Sequence, residues 1–316
     1  MTNWLCSREA VKRAGRIKGA TNDPQIDRII EGVARRLEWV THRFFIPRTE
    51  TRLYSWPRPQ PGLSSILWVD QDLLVVTTLK TKAQNSSPTT LSSSDYFVEP
   101  NNRTPKDRIE IDHSSTAAFE SGDTPQRSIS VLGRWGYSED TRSAGTIDDS
   151  GGINATETTL IISDGSLVFV GDTMLIDSEQ LFVSEKAFAA LSGTILTDGA
   201  LTASDSGVTV TVDGSHGVIA GEVIRVESEQ MYVQAVSGND LTVERAHNGT
   251  VLAAHNNNTA VHINRTLTIE RGINGTTGAT HADTTAITVY EPPFDLVGLA
   301  VAESVAQWHQ EGAGWG

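Results

Sequence analysis

Two glutamates, Glu179 and Glu229, come nearest in this chain to a catalytic pattern. A pair of carboxylates at suitable separation can cleave a glycosidic bond, one as acid and one as base or nucleophile. Both, however, sit in the same local sequence, Ser178-Glu179-Gln180 and Ser228-Glu229-Gln230. Matched positions in a repeat do one job twice, and the expected job is structural: accepting hydrogen bonds at a turn. His255 and His281 are matched in the same way and lack a convincing further pair of ligands, so a structural role is expected for them too. Asp148-Asp149 suggests a Ca²⁺ loop, but the alternating carboxylates and closing Glu of such a loop are missing, which favours a linker. The chain has no Gly-x-x-x-x-Gly-Lys loop, no Gly-x-Ser-x-Gly elbow and no His-Glu-x-x-His. No enzyme activity, cofactor or metal is expected.

The repeat is the larger signal. Gly171 to Val183 recurs as Gly221 to Val233, an offset of 50 residues, and Thr242 to Thr250 recurs as Thr268 to Thr276, an offset of 26. Tandem copies would share one offset. The order here is first half, first half, second half, second half. Either one unit begins near Thr158, is interrupted after Val183 and is completed by Arg265 to Tyr290, with a whole unit from Val208 to Ile263 inside it, or two half-units each pair with their own copy. Met174 and Ile176, matched by Ile224 and Val226, alternate with polar residues as in half-buried strands. Asn248-Gly249 and Asn274-Gly275 suit positive φ at both central positions of a turn. An antiparallel β-domain follows.

Charge divides the chain at the same place. Residues 1–145 carry 20 Lys+Arg and 17 Asp+Glu, a net +3, whereas residues 146–316 carry 5 and 22, a net −17. No concentrated basic face of a nucleic-acid reader is present. The sole cysteine, Cys6, excludes an intramolecular disulfide. The first residues lack the apolar core of a signal peptide, and no apolar run approaches the ~20 residues of a membrane helix. Synthesis as a soluble protein in a reducing cytoplasm is expected.

The elements that must position these residues are read in order. Ser7 starts a short helix to about Ala14. Asp23 as N-cap and Pro24 at the first helical position open a long helix. Its apolar stripe is Ile26, Ile30, Val33, Leu37, Val40 and Phe44, and Pro47 ends it. Arg28, Arg35, Arg36 and Arg43 form a solvated face or an intersubunit contact. After a break at Trp56-Pro57-Arg58-Pro59, Ile66–Val69 and Leu73–Val76 form a hairpin about Asp70-Gln71-Asp72. Ala83 to Ser94 is a loop, and Asp95–Val98, Arg108–Ile111 and Ser128–Leu132 are strands. Ser138 to Asn154 is a linker. A final helix from Pro293 to Gln310 presents Val297, Val301, Val305 and Trp308 on one face. The fold class is α+β: a small helical core with a sheet (residues 1–145 and 292–316) and an inserted all-β repeat domain (residues 146–291).

With residues 146–291 set aside, the remainder resembles a known family. The resemblance rests on the order of elements: short helix, long helix ending in Pro47, Trp56-Pro57-Arg58-Pro59, Ser93-Ser94-Asp95-Tyr96-Phe97-Val98, Gly133-Arg134-Trp135-Gly136-Tyr137, and Pro292-Pro293-Phe294-Asp295-Leu296 leading into the last helix. This order resembles the head–tail connector (adaptor) proteins of long-tailed bacteriophages, and the insert motif looks like small β-modules of phage structural proteins. The resemblance implies a virion protein at the neck, made in the host cytoplasm. It implies a homo-oligomeric ring of twelve copies beneath the portal protein, followed by a head–tail stopper or tail protein, with DNA passing through the lumen without specific binding. It also makes Trp308, Gln310, Gly312, Trp315 and Gly316 candidate portal contacts. Arg35, Arg36, Arg43, Trp135 and Tyr137 are candidate subunit contacts, with core packing the simpler reading of Trp135 and Tyr137. The insert of about 146 residues departs from the family pattern. A glycan- or fibre-binding module on a virion mount is the alternative function, and a glycan-cleaving enzyme rests on the Glu pair alone.

Overall fold

The computed structural model describes residues 3–56, 65–197, 199, 201–204 and 208–312. The chain is mostly antiparallel β-sheet, in two sheets, with three helices among the described residues. Helix α1 spans Arg8–Gly15, α2 Asp23–Thr41 and α3 Phe294–Gly312. The Ser7 hydroxyl accepts from the Ala10 amide at 3.2 Å and caps α1. Asn22, not Asp23, is the N-cap of α2, and Pro24 falls within its first turn. Asp23 instead pairs with Lys12 at 2.5 Å, tying α2 to α1.

The buried face of α2 is Ile26, Ile29, Ile30, Val33 and Ala34. Val40, expected on that face, is exposed, and His42 in the left-handed region ends the helix before Phe44. Against this face pack Val11 of α1 and Ala300, Val297, Val301 and Val305 of α3. Polar clasps fasten the edges: Glu311 accepts from Gln25 at 2.7 Å and Arg28 at 3.1 Å, and Arg36 pairs with Glu303. The first and last helices of the chain thus share one apolar layer.

The first sheet holds β1 (Arg48–Tyr54), β2 (Ile66–Thr81), β3 (Thr89–Leu91), β4 (Tyr96–Glu99), β5 (Lys106–Ile111) and β6 (Ile129–Trp135). Its order is β1-β6-β2-β5-β4, with β3 also on β2. The expected hairpin at Asp70-Gln71-Asp72 is absent. β2 runs straight through it as one strand of 16 residues, and the register against β5 shifts between Trp68 and Leu73. The stretch offers no Gly or Asn for a reversal, and its polar groups find partners across the sheet: Tyr54 donates to Asp70 at 2.8 Å, and Gly136 N to Asp72 O at 2.9 Å. The loop expected over Ala83 to Ser94 contains β3. The Pro57 and Pro59 break lies outside the described residues.

The second sheet comprises β7 (Thr141–Thr146), β8 (Thr159–Ile161), β9 (Thr173–Ile176), β10 (Glu179–Ile195), β11 (Thr209–Thr211), β12 (Val223–Val226), β13 (Glu229–Ser237), β14 (Asp240–Glu244), β15 (Ala260–Glu270) and β16 (Ala286–Tyr290). Its order is β11-β14-β13-β12-β15-β10-β9-β16-β7, with β8 also on β15. The stretch read as a linker from Ser138 therefore includes β7, which pairs with β16 because its backbone completes that edge. Two apolar clusters lie along this sheet. One gathers Met174, Ile176, Leu181, Val183, Leu267 and Ile287; the other gathers their repeat counterparts Ile224, Val226, Met231, Val233, Leu241 and Val261.

Candidate functional site

The repeat brings the singled-out Glu and His residues together as two matched networks. β9 turns into β10 through Asp177, and β12 into β13 through Glu227; both turn residues have φ of 53°. The strand that follows begins with Glu179 or Glu229, whose side chain is fully buried. Arg271, just past the end of β15, grips Glu179 with both prongs: Nε to Oε1 at 2.8 Å and Nη2 to Oε2 at 2.7 Å. Arg245, just past β14, grips Glu229 likewise, at 2.7 and 2.8 Å. Fork-to-fork geometry is the strongest form of this pair.

Backbone donors complete each carboxylate. Gly272 N and Ala279 N donate to Glu179 at 3.0 and 2.9 Å, and Ala246 N and Ala253 N to Glu229 at 3.0 and 3.1 Å. His281 Nε2 lies 2.8 Å from Glu179 and its Nδ1 2.8 Å from Asp177. His255 bridges Glu229 and Glu227 at the same two distances. Each imidazole thus lies between two carboxyl groups. The backbone of each His also pairs with a segment that precedes its unit: His281 with Ile153, His255 with Leu201.

Burial alone would raise the Glu179 and Glu229 carboxyls. The Arg, His and backbone donors outweigh it and hold each at about 2. A general acid needs the opposite: a carboxyl raised toward the working pH and open to substrate. These carboxylates are saturated with donors and closed to solvent. Turn hydrogen bonds were expected of them, and they accept such bonds.

Sequence reasoning missed the arginines. Arg245 and Arg271 stand at the same place in the matched Val243-Glu244-Arg245 and Ile269-Glu270-Arg271 stretches. Two repeat-matched cations for two repeat-matched buried anions is the signal that pairs them. A second matched pair was also missed. Asp172 accepts from Arg142 at 3.0 Å and from Phe169 N at 2.9 Å. Its counterpart Glu222 accepts from Arg265 at 2.7 and 3.0 Å and from Ile219 N at 2.9 Å.

The remaining candidates are dispersed. Arg35 pairs with Glu31 one turn away, and Arg43 with Asp72 at 3.4 Å while lying over the Tyr137 ring. Trp135 is fully buried in the first sheet and its indole donates to Glu50 O at 3.0 Å, so it is a core residue and not a contact surface. Tyr137 packs beside Phe45 and the helical layer. Trp308 leans on the same layer, Gln310 is exposed on the last turn of α3, and Gly312 closes that helix. Trp315 and Gly316 lie outside the described residues. Asp149 accepts from Gly151 N in its own loop, and no group of three metal-ligating side chains occurs among the described residues. Burial pushes the Cys6 thiol up to about 12.

No family model, no curated protein and no solved structure matches the chain.

Proposed function

We propose that this chain is a structural virion protein, a head–tail adaptor whose outer strands carry an inserted β-domain. The observation that carries the reading is the shared helical layer. α1 and α2 near the start of the chain and α3 at its end pack into one core, although the whole second sheet lies between them in sequence. An insert between packed elements is cheap in closure entropy, so the adaptor core tolerates it. In this reading residues 1–145 and 292–316 form the helical core with its sheet, and residues 146–291 the insert.

The insert is read as two nested copies of one unit. Glu179 is matched by an arginine 92 residues on, and Glu229 by one only 16 residues on, so the inner unit is contiguous and the outer one is closed after it. β10 and β15, the long central strands, run from one unit into the other. Buried, fork-paired carboxylates fit rigid pins and not a reaction centre.

By the resemblance, copies associate head-to-tail into a closed ring, twelve around the portal, with α3 and the tail at Trp308, Gln310, Gly312, Trp315 and Gly316 against the portal. Arg35, Arg36, Arg43 and Tyr137 lie at the neighbouring copy, and DNA passes through the lumen. Co-sedimentation of the purified chain with the portal ring tests the reading. Stoichiometric co-migration that weakens at least tenfold on removal of residues 312–316 is expected; independent migration contradicts it.

A further inference from the structure

The two Asn-Gly turns of the repeat share one sequence, Asn-Gly-Thr, and one backbone conformation, yet the chain holds them differently. Asn248 and Asn274 both have φ of 54°, and Gly249 and Gly275 follow at 77° and 79°. In the first, outer unit Asn274 is clasped by other segments of the chain. It exchanges two side-chain hydrogen bonds with the buried Asn3, at 3.1 and 2.9 Å, and donates to Gln180 at 2.7 Å. Thr49 N donates to its carbonyl at 2.8 Å, and Thr49 O lies so close to Gly275 that no Cβ would fit there.

In the second, inner unit Asn248 is exposed. Its side chain makes one bond among the described residues, a donation to Gln230 at 2.8 Å. Its carbonyl accepts from Gly19 N at 2.9 Å, which ties the inner unit to the turn between α1 and α2.

An Asn followed by Gly is open to an internal reaction. The Gly nitrogen, unhindered because Gly has no side chain, attacks Cγ of the Asn. A bond forms between that nitrogen and Cγ, the Cγ–Nδ2 bond breaks, and the amide proton leaves with the amine as ammonia. Water then opens the cyclic imide at either carbonyl, leaving Asp or its β-linked isomer. Attack requires the Asn ψ to swing until the Gly nitrogen faces Cγ. At ψ of 21° the Gly249 nitrogen is turned away from it. The turn must therefore open first, and the rate follows the hydrogen bonds that hold it shut.

We propose that Asn248 is a site of spontaneous deamidation whose conversion frees the inner unit from the α1–α2 turn, and that the Asn3 clasp protects Asn274. The new carboxylate would face Gln230 Oε1 with no hydrogen to donate. The β-linked form also lengthens the backbone at the residue whose carbonyl Gly19 meets. The inference does not depend on the adaptor reading.

The test is peptide mapping by mass spectrometry of the full chain aged at pH 8, with Asp and β-linked Asp read at both sites. Residue 248 should convert at least tenfold faster than residue 274, because two further side-chain bonds hold the latter. In denaturant the two should convert at similar rates, since both read Asn-Gly-Thr. Asn3→Ala should speed conversion at residue 274 and leave that at residue 248 unchanged. Hydrogen exchange at the Gly19 amide should quicken in the aged protein, and that at the Thr49 amide should not. Equal native rates, or an Asn248 that converts only in denaturant, overturns the proposal. So does an Asn274 indifferent to Asn3→Ala, or a Gly19 amide indifferent to ageing.

Discussion

Glu179 and Arg271, 92 residues apart in sequence, form a two-pronged ion pair at 2.8 and 2.7 Å in which the carboxylate is wholly buried. The pair joins the start of β10 to the residue that follows β15. A buried pair of this kind contributes little over an apolar replacement, but breaking it leaves a buried charge without a partner. Arg271→Met should therefore destabilise the protein by about 3–5 kcal/mol. The double change Glu179→Leu/Arg271→Met should cost clearly less than that single change. Urea unfolding of the two variants and the parent measures both numbers.

The pH dependence of stability has two opposing parts. Glu179 and Glu229 are held at about 2, below the ordinary carboxyl value of 4.5. Their stabilisation is present above that ordinary value and is lost as pH falls from about 4.5 toward 2. Asp172 behaves oppositely. Burial, only partly offset by Arg142, pushes it up to about 6 from 3.8. Its protonated form favours the folded state, so its contribution is full below about 4 and is lost as pH rises through about 6. Thermal melts should show stability falling below pH 4.5 in the parent. Asp172→Asn should flatten the slope between pH 4 and 6 and leave the acid limb intact.

Gly171 and Gly221 share a left-handed backbone, with φ of 100° and 97°. An alanine is strained at either. Only at Gly171 must the new methyl also displace a ring, that of Trp4. At Gly221 the nearest atom is Ser166 Cβ at 3.2 Å. Gly171→Ala should cost roughly 1–3 kcal/mol more than Gly221→Ala. Equal losses in chemical unfolding would mean that Trp4 does not seat on the first unit.

Cys6 is buried in the helical layer with its thiol pushed up to about 12 by burial, so very little thiolate forms near neutrality. Iodoacetamide at pH 8 should leave the native protein unlabelled over hours and label it fully in denaturant. Mass spectrometry of the intact chain reads the result, and rapid native labelling would show that the helical layer opens readily.

The legible parts of the fold were those governed by local pattern. The alternation at Met174 and Ile176 marked β9, the Asn-Gly pairs have positive φ at both residues, and the three helices lie close to their expected bounds. The repeat offsets led to matched Glu and His residues, and they act alike. What escaped was settled by partners distant in sequence. Asp70-Gln71-Asp72 looked like a turn because it is polar, yet its neighbours across the first sheet hold it extended. Thr141–Thr146 has no apolar alternation and is a strand only because β16 offers it an edge. Arg245 and Arg271 were in view, but they stand 16 and 92 residues from their glutamates, beyond the reach of any local pattern. Trp135 was open to two readings until its burial decided for the core.

The adaptor account is tested most directly by negative-stain imaging and mass measurement of the chain bound to the portal ring. The account predicts a closed ring of copies capping the portal, with the acidic insert projecting from its rim. A chain that stays monomeric and leaves the portal bare would contradict it.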